Sequence, residues 1–289
     1  MPRRRPAVPA HQPYRAIPAY YDAEYAHLPY LQTDVPFLLR HLPRRPQRIL
    51  ELAVGTGRAA IPLAEAGHRV VGVDNDPAML ERAEAKRRIS AVSPRRLKLV
   101  CGDIRTYRHP GGRQRFDAVL LLFNTLLAFP DIDQLDAVLA TAAYHLRPGG
   151  LLWVDVFNPD FGQLAHGPLT GLDPVTFYVP ELDRTVTRWT DLEDISPPAF
   201  QRRRVTFHYR WFDRGRERHR AVRFDMTWLL PRELQVLLQR HGLVLRQLWG
   251  DHDGSPVSHD SPRLIAAARK PAGPRAARAF RGGPLAPHA

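Results

Sequence analysis

Short apolar runs and longer mixed stretches alternate from residue 48 to about residue 158. Residues 48–53 (RILELA) read as a short buried strand, and residues 58–66 as a helix with Pro62 near its first turns, where proline does least harm. Residues 69–74 (RVVGVD) read as a second strand. Asp76-Pro77 opens the next helix, which runs to about residue 89. Aspartate is a natural N-cap, and proline suits the first helical position. Residues 97–101 form a third strand and 118–123 a fourth, the latter continuously apolar, as a strand buried on both faces has to be. A helix over 132–145 follows the acidic start Asp131 and Asp133. Arg147-Pro148-Gly149-Gly150 then reads as a turn before a fifth strand at 151–156. This alternation predicts parallel βαβ units with right-handed crossovers.

The flanks obey other rules. Residues 17–42 read as helical, with aromatic positions at Tyr20, Tyr21, Tyr25 and Tyr30, a second helical piece around 35–41, and punctuation at Pro43 and Pro46. After residue 161 the period drops to two. Residues 185–191, 204–212 and 221–228 alternate like half-exposed antiparallel strands. Val205, Phe207, Tyr209 and Trp211 share one face, as do Val222, Phe224, Met226 and Trp228. Asp213-Arg214-Gly215-Arg216 is the hairpin turn between them. The earlier pattern resumes with a helix over 231–241 and strands over 243–249 and 263–268. The expected fold is α/β: a mostly parallel seven-stranded sheet with helices on both faces, plus a small antiparallel β insertion. The expected division is a disordered basic arm at 1–16, helices and core at 17–161, the insertion at 162–228, the closing part of the core at 229–270 and a disordered tail at 271–289.

Composition narrows this little. The 289 residues carry a formal net charge of +13. Only Lys86, Lys98 and Lys270 among the 42 basic residues are lysines, a bias a GC-rich bacterial genome produces whatever the function. Much of the excess lies in the ends, at Arg3–Arg5 and at Arg275, Arg278 and Arg281. A solvated basic surface is therefore the expected reading, and nucleic acid is not the expected partner. The longest apolar stretch, 118–129, is broken by Asn124 and falls short of the ~20 residues a membrane helix needs. The first residues, MPRRRPAVPAHQ, lack the apolar core of a secretory signal. The single cysteine, Cys101, excludes an internal disulfide framework and reads as a small buried hydrophobe. Together these point to the cytoplasm.

The chemistry gathers where the strands end. Glu51-Leu52-Ala53-Val54-Gly55-Thr56-Gly57 lies between a strand and a helix. Its glycines permit a sharp turn and close approach of a ligand, and the helix start offers free N–H groups. Nineteen residues after Gly55 the second strand ends at Asp74, placed to accept from two ribose hydroxyls. Asp103 follows the third strand in Cys101-Gly102-Asp103-Ile104. Gly55-x-Gly57-x-x-Ala60 also fits a dinucleotide fingerprint, so an NAD(P)-dependent oxidoreductase competes. Glu51 before the glycines, Asp103 after strand three and the Arg147–Gly150 motif before strand five weigh against it. His252 and His259, with Asp251, Asp253 and Asp260, lack tight ligand spacing, and no metal site is expected.

In order, ELAVGTG, VVGVDND, CGDI, FDAVLLLFN and LRPGGLLWVDV resemble the motifs of the class I S-adenosylmethionine (SAM)-dependent methyltransferases, with a Rossmann-like fold. The resemblance covers residues 48–158, and the closing strands extend it to about 269. It departs at Ala53, where the family has a glycine. It implies that Glu51 orients the methionine end of SAM and that Gly55 and Gly57 pack against that end. Asp74 holds the ribose, with Asn75 beside the adenine. Asp103 accepts from the adenine amino group, Ile104 packs on the ring, and Phe123 and Asn124 face the sulfonium. Tyr20-Tyr21-Asp22 with Tyr25 is similar to the helix that covers SAM in small-molecule members. Residues 249–255 and Ser261-Pro262-Arg263 are similar to the ending of one bacterial branch.

The expected activity is in-line methyl transfer to nitrogen, oxygen or carbon of a small-molecule acceptor. Such a displacement needs alignment and exclusion of water more than a dedicated dyad. Asn124, His208 and Tyr21 are the candidate catalytic residues, with Asp155 and Asn158 also placed to face the methyl group. The aromatic face of the insertion either buries the acceptor or packs on the core, or it pairs two subunits in a homodimer. An RNA or protein methyltransferase and a non-catalytic SAM-binding protein are the alternatives.

Overall fold

The structure, a computed structural model, describes residues 17–26, 28, 30–110, 116–195 and 201–272. The expected disordered ends at 1–16 and from 273 onward lie outside the described residues.

Seven strands form the main sheet: β1 Arg48–Leu52, β2 Arg69–Asp74, β3 Leu97–Cys101, β4 Phe116–Leu121, β5 Leu146–Phe157, β10 Val244–Trp249 and β11 Arg263–Arg269. Their order is β10-β11-β5-β4-β1-β2-β3. The strands β1 to β5 run parallel, and β11 pairs antiparallel with both β5 and β10. Alternation along β1 assigns its side chains to opposite faces. Leu50 packs in a cluster with Leu135, Val138 and Leu139 of α5 (Ile132–His145) and Leu234 and Leu238 of the helix Pro231–Arg240. Ile49 packs in another with Phe37 and Leu38 of α2 (Tyr30–His41) and Ile61 and Leu63 of α3 (Ala60–Glu65). Helix α4, Pro77–Ile89, begins as the sequence predicts: Asp76 Oδ1 accepts from the Ala78 N–H at 2.9 Å and Pro77 occupies the first turn.

The insertion is a separate four-stranded antiparallel sheet, β6 Leu169–Val179, β7 Arg184–Asp194, β8 Arg202–Asp213 and β9 Arg216–Thr227, in that order. Arg214 and Gly215 at φ 50° and 74° make its hairpin turn, and positive φ at both central residues suits the strands' twist. The sheet rests on α1, Pro18–Tyr25, through a third apolar cluster of Ile17, Tyr20, Phe177, Val186 and Tyr209.

Three expectations need correction. Arg147–Gly150 is not a separate turn but part of the extended β5, irregular where Phe116 pairs with Leu146 and Ala118 already pairs with Leu151. Gly149 at φ 77° absorbs the irregularity, and its N–H donates to Lys270 O at 2.7 Å. Strand β6 was not predicted, because Gly171 and Pro174 break its alternation and its register against β7 shifts twice. Cys101 is exposed rather than buried, because β3 is the edge of the sheet.

Candidate active site

The carboxyl ends of β1, β2, β3 and β4 open into a cavity of about 1060 Å3 that continues under the insertion sheet. Its backbone is unusual at two neighbouring points. After β1 the chain turns through Ala53 and Gly55 at φ 64° and 53°, and after β4 through Phe123 and Asn124 at φ 51° and 64°. Left-handed conformations at three non-glycine residues cost free energy, and such strain concentrates at functional sites.

Asp74 joins two strand ends. Its Oδ2 accepts from the Gly55 N–H at 2.8 Å and its Oδ1 from the Asp76 N–H at 3.0 Å. A carboxylate has about four acceptor positions, and the Asn75 N–H also lies against this one, so the site is not saturated by backbone donors. Burial raises the Asp74 carboxyl, with the N–H groups of Asp76 and Gly55 opposing it. Asp103 takes the Arg105 side chain on both oxygens, Nη2 on Oδ2 at 2.6 Å and Nε on Oδ1 at 3.0 Å, and the Arg105 N–H at 2.9 Å. Burial works to raise the Asp103 carboxyl, but Arg105 outweighs it and holds it below the usual carboxylate range.

Helix α1 roofs this end. Tyr21 and Tyr25 lie edge to face at 4.8 Å between centroids, and Tyr25 meets Phe123 at 5.0 Å. Two carboxylates latch the helix. Asp22 accepts from the Thr56 hydroxyl at 2.7 Å and from Lys86 Nζ at 2.8 Å on the main domain. On the insertion side, buried Glu24 accepts from Arg188 Nε at 3.0 Å and the Tyr209 hydroxyl at 2.9 Å.

Eleven of the candidate site residues line the cavity: Tyr21, Tyr25, Ala53, Gly55, Asp74, Asn75, Asp103, Ile104, Phe123, Asn124 and Asn158. Asn124 is also a pin: its Oδ1 accepts from the Phe157 N–H at 2.8 Å, holding the end of β4 to that of β5. Three others stand elsewhere. Gly57, at φ 77°, packs where a Cβ would meet Ile61 at 3.3 Å and Ala83 at 3.4 Å, so it serves the approach of α3 and α4. Glu51 is buried behind the turn rather than on the cavity wall. His208 points from the other face of the insertion sheet, because the cavity takes the alternate positions Val205 and Phe207 of β8. There it stacks on Trp189 at 5.1 Å and bonds Asp191 at 2.9 Å and His219 at 3.0 Å. Its expected catalytic role is withdrawn. Asp155 does not face the cavity either: its carboxylate is held by Arg263 at 2.5 and 2.9 Å and by His252 at 3.2 Å. Arg188 and Arg203, which the sequence reading passed over among many arginines, line the cavity from the insertion.

Residues 49–150 match the family model described as a methyltransferase domain. The chain is 32% identical over 257 residues to the putative methyltransferase YqeM of Bacillus subtilis strain 168, spanning 89% of this chain and 97% of that protein. The chain belongs to the class I SAM-dependent methyltransferases. This methyltransferase is also 27% identical to the cypemycin N-terminal methyltransferase of a Streptomyces species, over 82% of this chain and 88% of the relative. The fold is shared with the CcbJ methyltransferase from Streptomyces caelestis, at TM-score 0.66, 24% identity and coverage of 86% and 96%. It is shared too with SAM-bound CalS10, an amino pentose methyltransferase from Micromonospora echinaspora, at TM-score 0.62, 21% identity and coverage of 86% and 96%. The membership removes the oxidoreductase and the non-catalytic alternatives. No helix among the described residues of the methyltransferase is long and apolar enough to cross a membrane.

Ala53, in the turn after β1, and Glu51, at the end of that strand, carry predictions. In the methyltransferase, Ala53 occupies a conformation that favours glycine. Ala53→Gly is expected to raise the unfolding free energy by ~1 kcal/mol in urea denaturation, since the relieved strain exceeds the added freedom of the unfolded glycine. Glu51 has a carboxyl pushed up to about 8, chiefly by burial, with Arg58 opposing and Asp34 and Asp74 reinforcing the rise. The folded state therefore holds this proton where the unfolded chain, near ~4.3, has lost it. That contribution is full below ~4.3 and is lost as the pH rises through about 8. Glu51→Gln is expected to flatten this fall, so that in thermal melts the variant gains on the parent as the pH rises from 5 to 9. An unchanged pH profile would contradict the assignment.

Proposed function

We propose that this methyltransferase acts on a small molecule bound under the insertion sheet, methylating it at nitrogen, oxygen or carbon. One observation carries the reading: the cavity that holds Gly55, Asp74 and Ile104 continues without a wall onto Phe207, Phe224, Met226 and Trp228 of the insertion. At about 1060 Å3 it stands at the top of the ~300–1,000 Å3 range of ligand sites. The aromatic face would bury an apolar acceptor body away from water, which is what an in-line displacement needs.

The residues fit SAM. Gly55 carries no Cβ into the cavity, and Asp74 lines it with a carboxylate that can accept from the ribose hydroxyls. Ile104 offers an apolar floor for the adenine, with Asn75 beside it. Asp103 is held by Arg105 and would meet the adenine amino group only on its remaining acceptor positions. When bound, the cofactor supplies an electrophilic methyl group on a good leaving group. The chain aligns the acceptor against it: Tyr21, Tyr25 and Phe123 form the aromatic roof, and Asn124, fixed at its carbonyl, marks the junction of cofactor and acceptor spaces. No general base is required unless the acceptor atom must lose a proton.

Incubation with methyl-tritiated SAM and a cell extract, followed by ultrafiltration, tests the class of acceptor. Label is expected in the small-molecule filtrate in a species that chromatography separates from SAM and its breakdown products and that is missing when the protein is left out. Label confined to acid-precipitable RNA or protein would replace this reading with the macromolecular one.

A further inference from the structure

Two arginines stand on the cavity face of the insertion sheet, in different electrostatic situations. Arg188 is spoken for: its Nε donates to Glu24 at 3.0 Å and its Nη1 to Thr190 Oγ1 at 2.7 Å, and Glu24 is itself buried. Arg203 is not. Its side chain is only 8% exposed, yet its one ion pair among the described residues runs from Nε to Asp194 Oδ1 at 2.8 Å. Its Nη2 is buried and has no partner among the described residues. A buried guanidinium N–H without an acceptor is costly, and the cost is recovered only when something supplies an oxygen.

The surroundings say what kind. Arg203 faces Met226 across β9, and Val205 follows it on the same face of β8, paired with Leu192 of β7. Asp225 is engaged by Arg204 from the opposite face of the sheet, and Asp194 is the acid bonded to Arg203; Asp160 and Asp173 line the same cavity without an ion pair to Arg203 among the described residues. In apolar surroundings an anion–guanidinium pair is worth more than in water, and the planar fork matches the two oxygens of a carboxylate or phosphate. We propose that Arg203 selects the acceptor, and that the acceptor carries an oxyanion, carboxylate or phosphate, on an apolar body. The inference rests on the reading that the acceptor lies under the insertion sheet.

The test uses calorimetry on the full chain saturated with S-adenosylhomocysteine, with phenylacetate, its neutral isostere phenylacetamide, and phenyl phosphate as probes. One oxyanion probe is expected to bind at least tenfold more tightly than phenylacetamide, and whichever of the two binds better names the group on the acceptor. Arg203→Met is expected to abolish that preference and Arg203→Lys to keep part of it. Asp194→Asn, which removes the competing negative charge, is expected to strengthen oxyanion binding. S-adenosylhomocysteine affinity should be the same in all four proteins; if Arg203→Met loses it through misfolding, Arg203→Lys and Asp194→Asn carry the test. Equal affinity of both oxyanion probes and the amide, no binding of any of the three, or a preference that survives Arg203→Met overturns the proposal. Failure of the parent chain to bind S-adenosylhomocysteine would instead strike the cofactor-site reading beneath it.

Discussion

Asp74→Ala is expected to weaken S-adenosylhomocysteine binding about 100-fold and to bring methyl transfer below detection at cofactor levels that saturate the parent. The carboxylate is placed to accept from two ribose hydroxyls, and a hydrogen bond to a charged group is worth about 1.5–3 kcal/mol, so losing two costs at least that factor. A second effect adds to it. Asp74 also receives the N–H groups of Gly55 and Asp76, and its removal leaves both donors unmet in the turn that lines the cavity. The variant should therefore lose ~1–3 kcal/mol of stability as well. Asp74→Asn keeps one oxygen and separates the two effects. It should retain most of the stability and still bind the ligand at least tenfold more weakly, by equilibrium titration below the melting transition.

Asp155→Ala should cost more stability than any other single change considered, about 3–5 kcal/mol in denaturant unfolding. Asp155 sits fully inside, bonded by Arg263 at 2.5 and 2.9 Å and by His252 at 3.2 Å, and all three residues are buried. Removing the carboxylate strands a guanidinium that cannot reach water, and the loss measured would be mostly that penalty. The group also fixes an acid limit. Burial acts to raise the Asp155 carboxyl, but Arg263 and His252 overcome it and hold it below the usual range. Its contribution is present above the unfolded value of ~3.9 and is lost as the pH falls through the lower folded value. Acid unfolding of the parent should be steep below pH 4, and that of Asp155→Asn shallower from a lower starting stability. A variant as stable as the parent would mean that the three residues are not joined as described.

Much of this was legible from local signals. The cap at Asp76, the strand at 97–101 and the hairpin at Arg214-Gly215 depend on residues close in sequence, and each stands where the pattern put it. The same holds for the acids at the ends of β2 and β3, because a strand's direction and its terminus decide where its next side chain goes. The failures share a different cause. Strand β6 exists only through its pairing with β7, and Gly171 and Pro174 hide it from any periodic reading. Gly57 was given to the ligand because a glycine required by close packing looks like one required by a ligand; Ile61 and Ala83 distinguish them only in three dimensions. The pairing of Glu24 with Arg188 spans 164 residues, and the burial of Asp155 against Arg263 spans 108. No local pattern records such partners, so the roof over the site and its anchor below the sheet became visible only with the fold.

The crystal structure of the full chain with S-adenosylhomocysteine is the most direct test of the central claim. The account predicts the ribose hydroxyls on the free acceptor positions of Asp74, the adenine against Ile104 beside Asn75, and the homocysteine end at the Ala53–Gly55 turn, with the sulfur facing the space under Phe207 and Phe224. A ligand bound away from Asp74, or a sulfur turned from the insertion sheet, would contradict it.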